Sequence, residues 1–194
     1  MTVLKKLSLI LLFITTVILI SFSITSCGND FENGILYSGN AVIEADKNAE
    51  TLTVKEGTTS IAAGAFADCK NLTSLTLPDS ITEIAAGAFD GCDALIKSEG
   101  GVLYVGDWAV GADKNATDII LKDGTKGIAR EAFIGMNALK SAVIPDSVKN
   151  IGARAFFRCS SLEKITLPFV GKSANAKTRL RVMQRFKRGR YSSR

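Results

Sequence analysis

Apolar and polar positions follow one another in a fixed order that recurs along most of the chain. The segment IAAGAFADCKNL begins at Ile61 and returns in related form at Ile84, Ile128 and Ile151. Within each pair of copies, the starting isoleucines are 23 positions apart. Because one repeat of this length cannot bury its own apolar side, successive copies are expected to stack around a shared core.

A short strand is predicted in each coil, where apolar positions alternate with a residue that faces away from the core. Thr76, Val143 and Thr166 each separate two apolar positions in this way. Each strand is predicted to end at a proline, because proline cannot donate to a strand ladder and fixes φ. These prolines are Pro78, Pro145 and Pro168.

A longer duplication contains the short repeats. GILYSGNAVIEADKNA from Gly34 matches GVLYVGDWAVGADKNA from Gly101, an offset of 67 positions. The same offset carries LPDS at Leu77 onto IPDS at Ile144. We therefore predict a repeat domain over residues 34–170, made of two copies of one module. The copy that begins at Gly34 is called module 1, and the copy that begins at Gly101 is called module 2.

Equivalent positions of the four repeats form the predicted rows of the core. One row is isoleucine throughout and a second is phenylalanine throughout, while a third holds cysteine in three copies and methionine in one. Methionine at that position indicates a need for apolar bulk, so the cysteines are expected to be buried free thiols. A disulfide between the cysteines of adjacent coils is the alternative in an oxidising compartment. The rows are Ile61, Ile84, Ile128 and Ile151; Phe66, Phe89, Phe133 and Phe156; and Cys69, Cys92, Met136 and Cys159.

The strand with LPDS or IPDS, the Ile-x-x-x-Ala-Phe segment and the Cys-x-x-Leu close together resemble the BspA-like, treponemal type of leucine-rich repeat found in bacterial surface proteins. The resemblance covers about residues 34–170. It implies a right-handed leucine-rich-repeat solenoid of 23-residue coils, with short parallel strands on one face joined by turns or short helices. It also implies a role in adhesion or host-protein binding, and it brings no catalytic residues.

The segments GILYSGNAV and GVLYVGDWAV interrupt the coils and are predicted to form small β-hairpins. Ser38-Gly39 and Gly106-Asp107 are the predicted turn pairs, since each lies between two apolar runs. We expect both hairpins to lie against the side of the solenoid.

Three aromatic residues in these hairpin segments lie outside the core rows, which makes them candidates for exposure. They are Tyr37, Tyr104 and Trp108. Aromatic side chains often anchor interfaces, so these three are the candidate binding residues. The alternative, which we favour, is that they pack against the flank of the solenoid.

The first 27 residues have the form of a secretory leader, with Lys5 and Lys6 before a long uncharged apolar run. ITSC, which ends at Cys27, resembles the lipobox of bacterial lipoproteins, and the resemblance implies that Cys27 is lipidated and becomes the mature amino terminus. An uncleaved signal anchor is the alternative, because the apolar run approaches the ~20 residues that span a bilayer. Residues 28–33 are predicted to be a polar spacer.

The net charge of +5 does not describe the repeat domain. Residues 28–168 hold 13 basic and 19 acidic residues, whereas the last 26 residues hold nine basic residues and no acidic one. Nucleic acid is therefore not expected as a partner of the folded part. The basic tail, residues 171–194, is predicted to be disordered or to mark a truncated end, although attraction to an anionic lipid or wall polymer is an alternative.

Few side chains could support catalysis or bind a metal ion. The chain contains no histidine, which removes the most common general base and imidazole ligand. ADKN occurs at residues 45–48 and again at residues 112–115, but one acid per copy is too few for a calcium loop, and a capped turn explains the motif better. We expect no catalytic residues, no metal and no cofactor.

These features together predict an exported, lipid-anchored protein at the surface or outer envelope of a bacterium. Its expected partner is an extracellular protein or glycan, bound by outward residues of a rigid repeat scaffold. The alternative is a structural spacer or a fragment of a larger surface repeat protein that binds nothing itself.

Overall fold

The computed structural model describes residues 31–167, so the predicted leader with Cys27 and the predicted basic tail lie outside the described residues. All regular structure in this part of the chain is β-strand, and none of it is helical. The strands are β1 (Phe31–Glu32), β2 (Ile35–Ser38), β3 (Ala41–Ala45), β4 (Thr51–Thr53), β5 (Ser60–Ile61), β6 (Ser74–Thr76), β7 (Glu83–Ile84), β8 (Lys97–Glu99), β9 (Val102–Val105), β10 (Trp108–Ala112), β11 (Asp118–Ile120), β12 (Gly127–Ile128), β13 (Ser141–Val143), β14 (Asn150–Ile151) and β15 (Lys164–Thr166).

Each coil contributes two short strands, and equivalent strands of neighbouring coils pair in parallel. The first strands of the coils form the sheets β4–β6 and β11–β13–β15, and the second strands form the ladders β5–β7 and β12–β14. The predicted leucine-rich-repeat solenoid with coils of about 23 residues is therefore confirmed. Among residues 31–167 the coils are completed by turns, so the option of short helices is not used.

The two hairpins are rungs of the solenoid rather than additions to its side. β2 and β3 pair antiparallel, as do β9 and β10. β3 then pairs in parallel with β5, and β10 pairs in parallel with β12, so our expectation of hairpins lying against the side is wrong. The physical reason is that the second hairpin strand satisfies the otherwise unpaired edge of the first coil.

The hairpin turns lie at equivalent places in both modules. Gly106 and Asp107 form the turn between β9 and β10, as predicted, but the turn between β2 and β3 is Gly39-Asn40 and not Ser38-Gly39. Gly39 has φ of 59° and Gly106 has φ of 56°. A glycine with positive φ at the first central position is typical of a type II′ hairpin turn.

Backbone hydrogen bonds also connect the turn segments of adjacent coils. Phe66 N donates to Ala88 O at 2.9 Å, and Phe133 N donates to Ala155 O at 2.9 Å. All residues of the isoleucine and phenylalanine rows except Ile151 are buried. The Phe66 and Phe89 rings stack with centroids 5.3 Å apart. Ile151, in the last described coil, is 40% exposed.

Only the last three residues of the predicted polar spacer, residues 28–33, lie within the described part of the chain. Phe31 and Glu32 form β1, which pairs antiparallel with β2, so the spacer prediction is wrong for these two residues. Pairing with the outer edge of the hairpin satisfies backbone groups that would otherwise face water. Within residues 31–167, no helix has the length and apolar character needed to cross a membrane.

Candidate functional site

The outward surface of β11, β13 and β15 carries acidic, hydroxyl, basic and apolar side chains. Parallel register aligns Asp118, Ser141 and Lys164 in one outward column. The central column of Ile119, Ala142 and Ile165 is buried and anchors the sheet on the core. A second outward column, in the same register, is formed by Ile120, Val143 and Thr166. We call these two outward columns the β11–β13–β15 face.

Asp118 is a fixed acceptor on this face. Ser141 Oγ donates to Asp118 Oδ1 at 2.5 Å, and Thr117 Oγ1 donates to Asp118 Oδ2 at 2.8 Å. The Ser141 hydrogen bond, followed by the Thr117 hydrogen bond and the charge of Lys140, lowers the pKa of the Asp118 carboxyl. The carboxylate is therefore held in place and charged at neutral pH.

The second column presents apolar surface to solvent. Ile120 is 67% exposed and Val143 is 36% exposed, and the two residues are directly paired across β11 and β13. Covering an isoleucine side chain contributes about 1–2 kcal/mol when it is largely exposed beforehand. The face can thus combine a hydrophobic contact with a carboxylate, a hydroxyl and an ammonium group within two columns.

The equivalent face of module 1 has different chemistry. Thr51 pairs with Ser74, and Thr53 pairs with Thr76, so the outward residues of β4 and β6 all carry hydroxyl groups. The 67-position offset places Thr53 at the position of Ile120 and Thr76 at that of Val143. The apolar column is therefore a specific property of module 2 and not a requirement of the fold.

The three aromatic candidates are buried, so they lack the exposed surface that a binding role requires. Tyr37 is 9% exposed, Tyr104 is 2% exposed and Trp108 is 3% exposed. They are covered because the hairpins join the coil sheet instead of lying outside it. Their rings pack in the hydrophobic core, in agreement with the packing alternative, and offer little surface to a partner.

Each tyrosine instead connects its hairpin to the residues that follow β4 or β11, and we call this set of contacts the brace. Lys55 N donates to Tyr37 Oη at 3.0 Å, and the Lys55 ammonium lies 4.1 Å from the ring centroid. Glu32 forms an ion pair with Lys55 at 3.0 Å. Glu99, Tyr104 and Lys122 repeat this arrangement in module 2. Its presence in both modules indicates a structural role.

A cleft of about 400 Å³ lies beside the brace of module 1. Glu32, Asn33, Tyr37, Thr51, Leu52, Thr53 and Lys55 line it. The Lys55 ammonium is already paired with Glu32 and stacked on Tyr37, so its charge is satisfied internally. The β11–β13–β15 face, in contrast, leaves its apolar column uncovered among the described residues.

The ladder cysteines are free thiols in the structure. Cys92 Sγ donates to Phe66 O at 2.7 Å, and Cys159 Sγ donates to Phe133 O at 3.1 Å, in each case across to the preceding coil. Burial raises the pKa of the Cys92 thiol to about 11 and also raises the pKa values of Cys69 and Cys159. Such thiols are poor nucleophiles and act here as small apolar side chains.

Among residues 31–167, no group of three or more His, Cys, Asp or Glu side chains converges in a way that could hold a metal ion. Asp46 Oδ1 accepts from Asn48 N at 2.9 Å, and Asp113 Oδ1 accepts from Asn115 N at 2.9 Å. These contacts make the ADKN segments capped turns, as expected from their sequence.

Sequence reasoning missed Ile120 and Asp118 as candidate functional residues. A signal was available, because the module alignment shows isoleucine and aspartate at 120 and 118 where module 1 has threonine. Departures from a duplicated pattern at outward positions mark residues that the fold does not require. The aromatic residues were the binding candidates instead, because they lie outside the core rows.

The chain belongs to the BspA type leucine-rich repeat family. The family profile matches residues 39–101 and 105–177 and includes six copies of the repeat, so the match covers more than half of the chain. A comparison with curated proteins finds no match.

Solved structures of bacterial leucine-rich proteins are also similar to this chain. A leucine-rich cell surface protein from Faecalibacterium prausnitzii is 27% identical, with 61% of this chain and 41% of that chain covered and a TM-score of 0.38. The pneumococcal vaccine antigen PcpA is 20% identical, with 61% and 39% covered and a TM-score of 0.38. A T. pallidum leucine-rich-repeat protein is 19% identical, with 66% and 63% covered and a TM-score of 0.31. The chain therefore spans about two fifths of the length of the first two structures.

Proposed function

We propose that this chain is an exported bacterial surface protein that binds an extracellular protein through the β11–β13–β15 face. The observation that carries the proposal is the exposed Ile120–Val143 pair beside the fixed carboxylate of Asp118. Apolar residues bordered by polar groups with fixed geometry are typical of protein interfaces. The parallel sheet below holds these side chains in place, so a partner would not have to order them.

The function proposed here is binding and not catalysis. Support comes from the absence of histidine in the sequence and from buried thiols that are poor nucleophiles. Membership of a leucine-rich-repeat family agrees with a role in which a repeat scaffold presents contact residues.

The test compares the wild-type chain with the double variant Ile120→Thr and Val143→Thr. These substitutions install the residues that module 1 carries at the same positions, so the strands should keep their β-propensity and the fold should be preserved. Binding to a panel of purified extracellular proteins and to a glycan array would be measured by biolayer interferometry. We expect the double variant to lose about tenfold or more in affinity for the panel protein that the wild type binds.

The matched control is Thr53→Ser with Thr76→Ser, which alters the same positions of module 1 and should leave affinity unchanged. Asp118→Asn and the double variant together separate a protein partner from a glycan partner, because a protein partner should depend on the apolar pair. A glycan bound through hydrogen bonds would depend on Asp118 and tolerate loss of the apolar pair, which would contradict a protein-binding surface. A wild-type chain that binds nothing in either panel would favour the spacer alternative.

The proposal includes lipid anchoring at Cys27. The ITSC sequence supports it, and burial of acyl chains contributes about 0.8 kcal/mol per CH₂, so that two or more chains anchor stably. The measurement is the intact mass of the protein extracted from its native membrane fraction. We expect the mass of a chain that begins at Cys27 with added acyl groups, whereas the mass of the unprocessed chain would contradict lipidation.

A further inference from the structure

The junction between the two modules is a coil-to-coil contact. Arg130 N donates to Ile84 O at 2.9 Å, which continues the ladder from the last coil of module 1 into module 2. An ion pair of 2.8 Å between Lys126 and Asp79 also joins the two modules. The last coil of module 1 is thus covered by the beginning of module 2.

The residues on each side of this junction have equivalents in the other module. The 67-position offset places Ile151 at the position of Ile84, and Ala63 at that of Arg130. Within residues 31–167, neither the Ile151 carbonyl nor the Ala63 amide makes the hydrogen bond that its counterpart makes at the junction. An unpaired acceptor therefore lies at one end of the described solenoid, and an unpaired donor lies at the other.

Burial of the side chains shows the same difference. Ile84 is 1% exposed at the internal junction, whereas Ile151 is 40% exposed. On the other side, Ala129 is buried in module 2, and its counterpart Ala62 in module 1 is only partly buried. Each end of the described region thus exposes the residues that the internal junction covers.

We propose that the chain self-associates head to tail, with the last described coil of one copy stacked on the first coil of a second copy. The contact repeats the internal junction, so Ala63 N of one copy donates to Ile151 O of the other and Ile151 becomes covered. The described strands at the two positions are arranged alike, because β1 meets β2 in module 1 as β8 meets β9 at the internal junction. A head-to-tail contact of this kind can extend beyond a dimer.

The contact between copies is weaker than the internal one. At the contact between copies, Thr59 occupies the position equivalent to Lys126. The ion pair of the internal junction therefore has no counterpart there. The internal junction also has its two halves on one chain, which supplies a high effective concentration. We therefore expect a self-association that depends on concentration in the micromolar range, on the order of −8 kcal/mol.

The first test is sedimentation equilibrium of the full chain in detergent micelles. Ile151→Lys should raise the dissociation constant about tenfold or more, because a charge would be buried against the next copy. Ile120→Lys is the matched control, since it replaces an exposed isoleucine on the β11–β13–β15 face and should leave self-association unchanged. Thermal unfolding of both variants would show that they remain folded.

The second test identifies the polarity of the contact. Ile151→Lys blocks one end and Ala62→Lys blocks the other, so each variant alone should be largely monomeric at a concentration at which the wild-type chain associates. An equimolar mixture should form dimers, because one variant keeps an intact donor end and the other keeps an intact acceptor end. The mixture should form nothing larger than a dimer. A wild-type chain that stays monomeric, equal effects of Ile151→Lys and Ile120→Lys, or folded variants that fail to complement would overturn the proposal.

Discussion

At the residue scale, the duplicated positions show which contacts the fold needs and which it tolerates losing. Tyr37 and Tyr104 accept the same backbone hydrogen bond in the two modules, at 3.0 Å in each case. The sequence showed that these residues lie outside the core rows but not that they are buried. Burial depends on how the hairpin pairs with the coil, and a pattern of single residues does not contain that pairing.

Ser80 and Ser147 are equivalent residues with different contacts. Ser80 Oγ donates to Thr58 O at 2.7 Å, whereas Ser147 Oγ is buried without a hydrogen-bond partner in the described part of the chain. We predict that Ser80→Ala lowers the free energy of unfolding by about 1 kcal/mol and that Ser147→Ala leaves it unchanged or raises it. Urea unfolding followed by circular dichroism measures both. Equal losses in the two variants would contradict this reading.

The buried thiol of Cys92 predicts a dependence of stability on pH. Its pKa rises from 9.0 to about 11 in the folded chain, chiefly because burial disfavours the thiolate. The folded state therefore keeps a proton that the unfolded state loses, and the stabilisation is fully present below pH 9.0 and is lost as the pH rises through about 11. Urea unfolding over this range should show a steeper loss for the wild type than for Cys92→Ala. Parallel curves of stability against pH for the wild type and Cys92→Ala would contradict the raised pKa of Cys92.

At the element scale, the coil spacing and the short strands were predictable because the repeat fixes both. The ladder pairing followed from stacking, and the strands β6, β13 and β15 fall where apolar residues alternate with Thr76, Val143 and Thr166. The placement of the hairpins was not predictable. Whether β3 and β10 join the coil sheet depends on an unpaired strand edge, which is a property of the assembled coil and not of the hairpin sequence.

One cross-strand pair shows how the modules adapt to different residues within the same ladder. Trp108 pairs with Gly127 in module 2, where module 1 pairs Ala41 with Ser60. A Cβ atom at Gly127 would overlap the Trp108 ring. We predict that Gly127→Ser costs about 1–3 kcal/mol of stability in the wild-type chain, as overpacking does.

The matched background for this substitution is Trp108→Ala, which removes the ring; combined with Gly127→Ser it gives the Ala–Ser pair found in module 1. Gly127→Ser should then cost almost nothing, so the double-mutant cycle should give a coupling energy of about 1–3 kcal/mol. Chemical denaturation of the four chains provides the cycle. Additive effects would mean that the overlap is relieved by a movement elsewhere.

At the scale of the whole molecule, the described chain is a repeat scaffold whose two modules differ most on their outward surfaces. The family and the solenoid could be predicted from the repeat, because ladder positions are constrained by packing against their neighbours. The β11–β13–β15 face could not, because outward positions are free of that constraint and only the comparison of modules singles out Ile120. The order of the coils then determines which outward residues become neighbours.

The β11–β13–β15 face is the surface that we propose makes the contact with a partner. The most direct measurement is photo-crosslinking of the full chain, with a photoreactive side chain in place of Ile120 in one sample and in place of Thr53 in the other. The probe is the panel protein or glycan that the wild-type chain binds. We predict that the partner is cross-linked from position 120 and not from position 53. Equal cross-linking from both positions, or cross-linking from position 53 alone, would contradict the account.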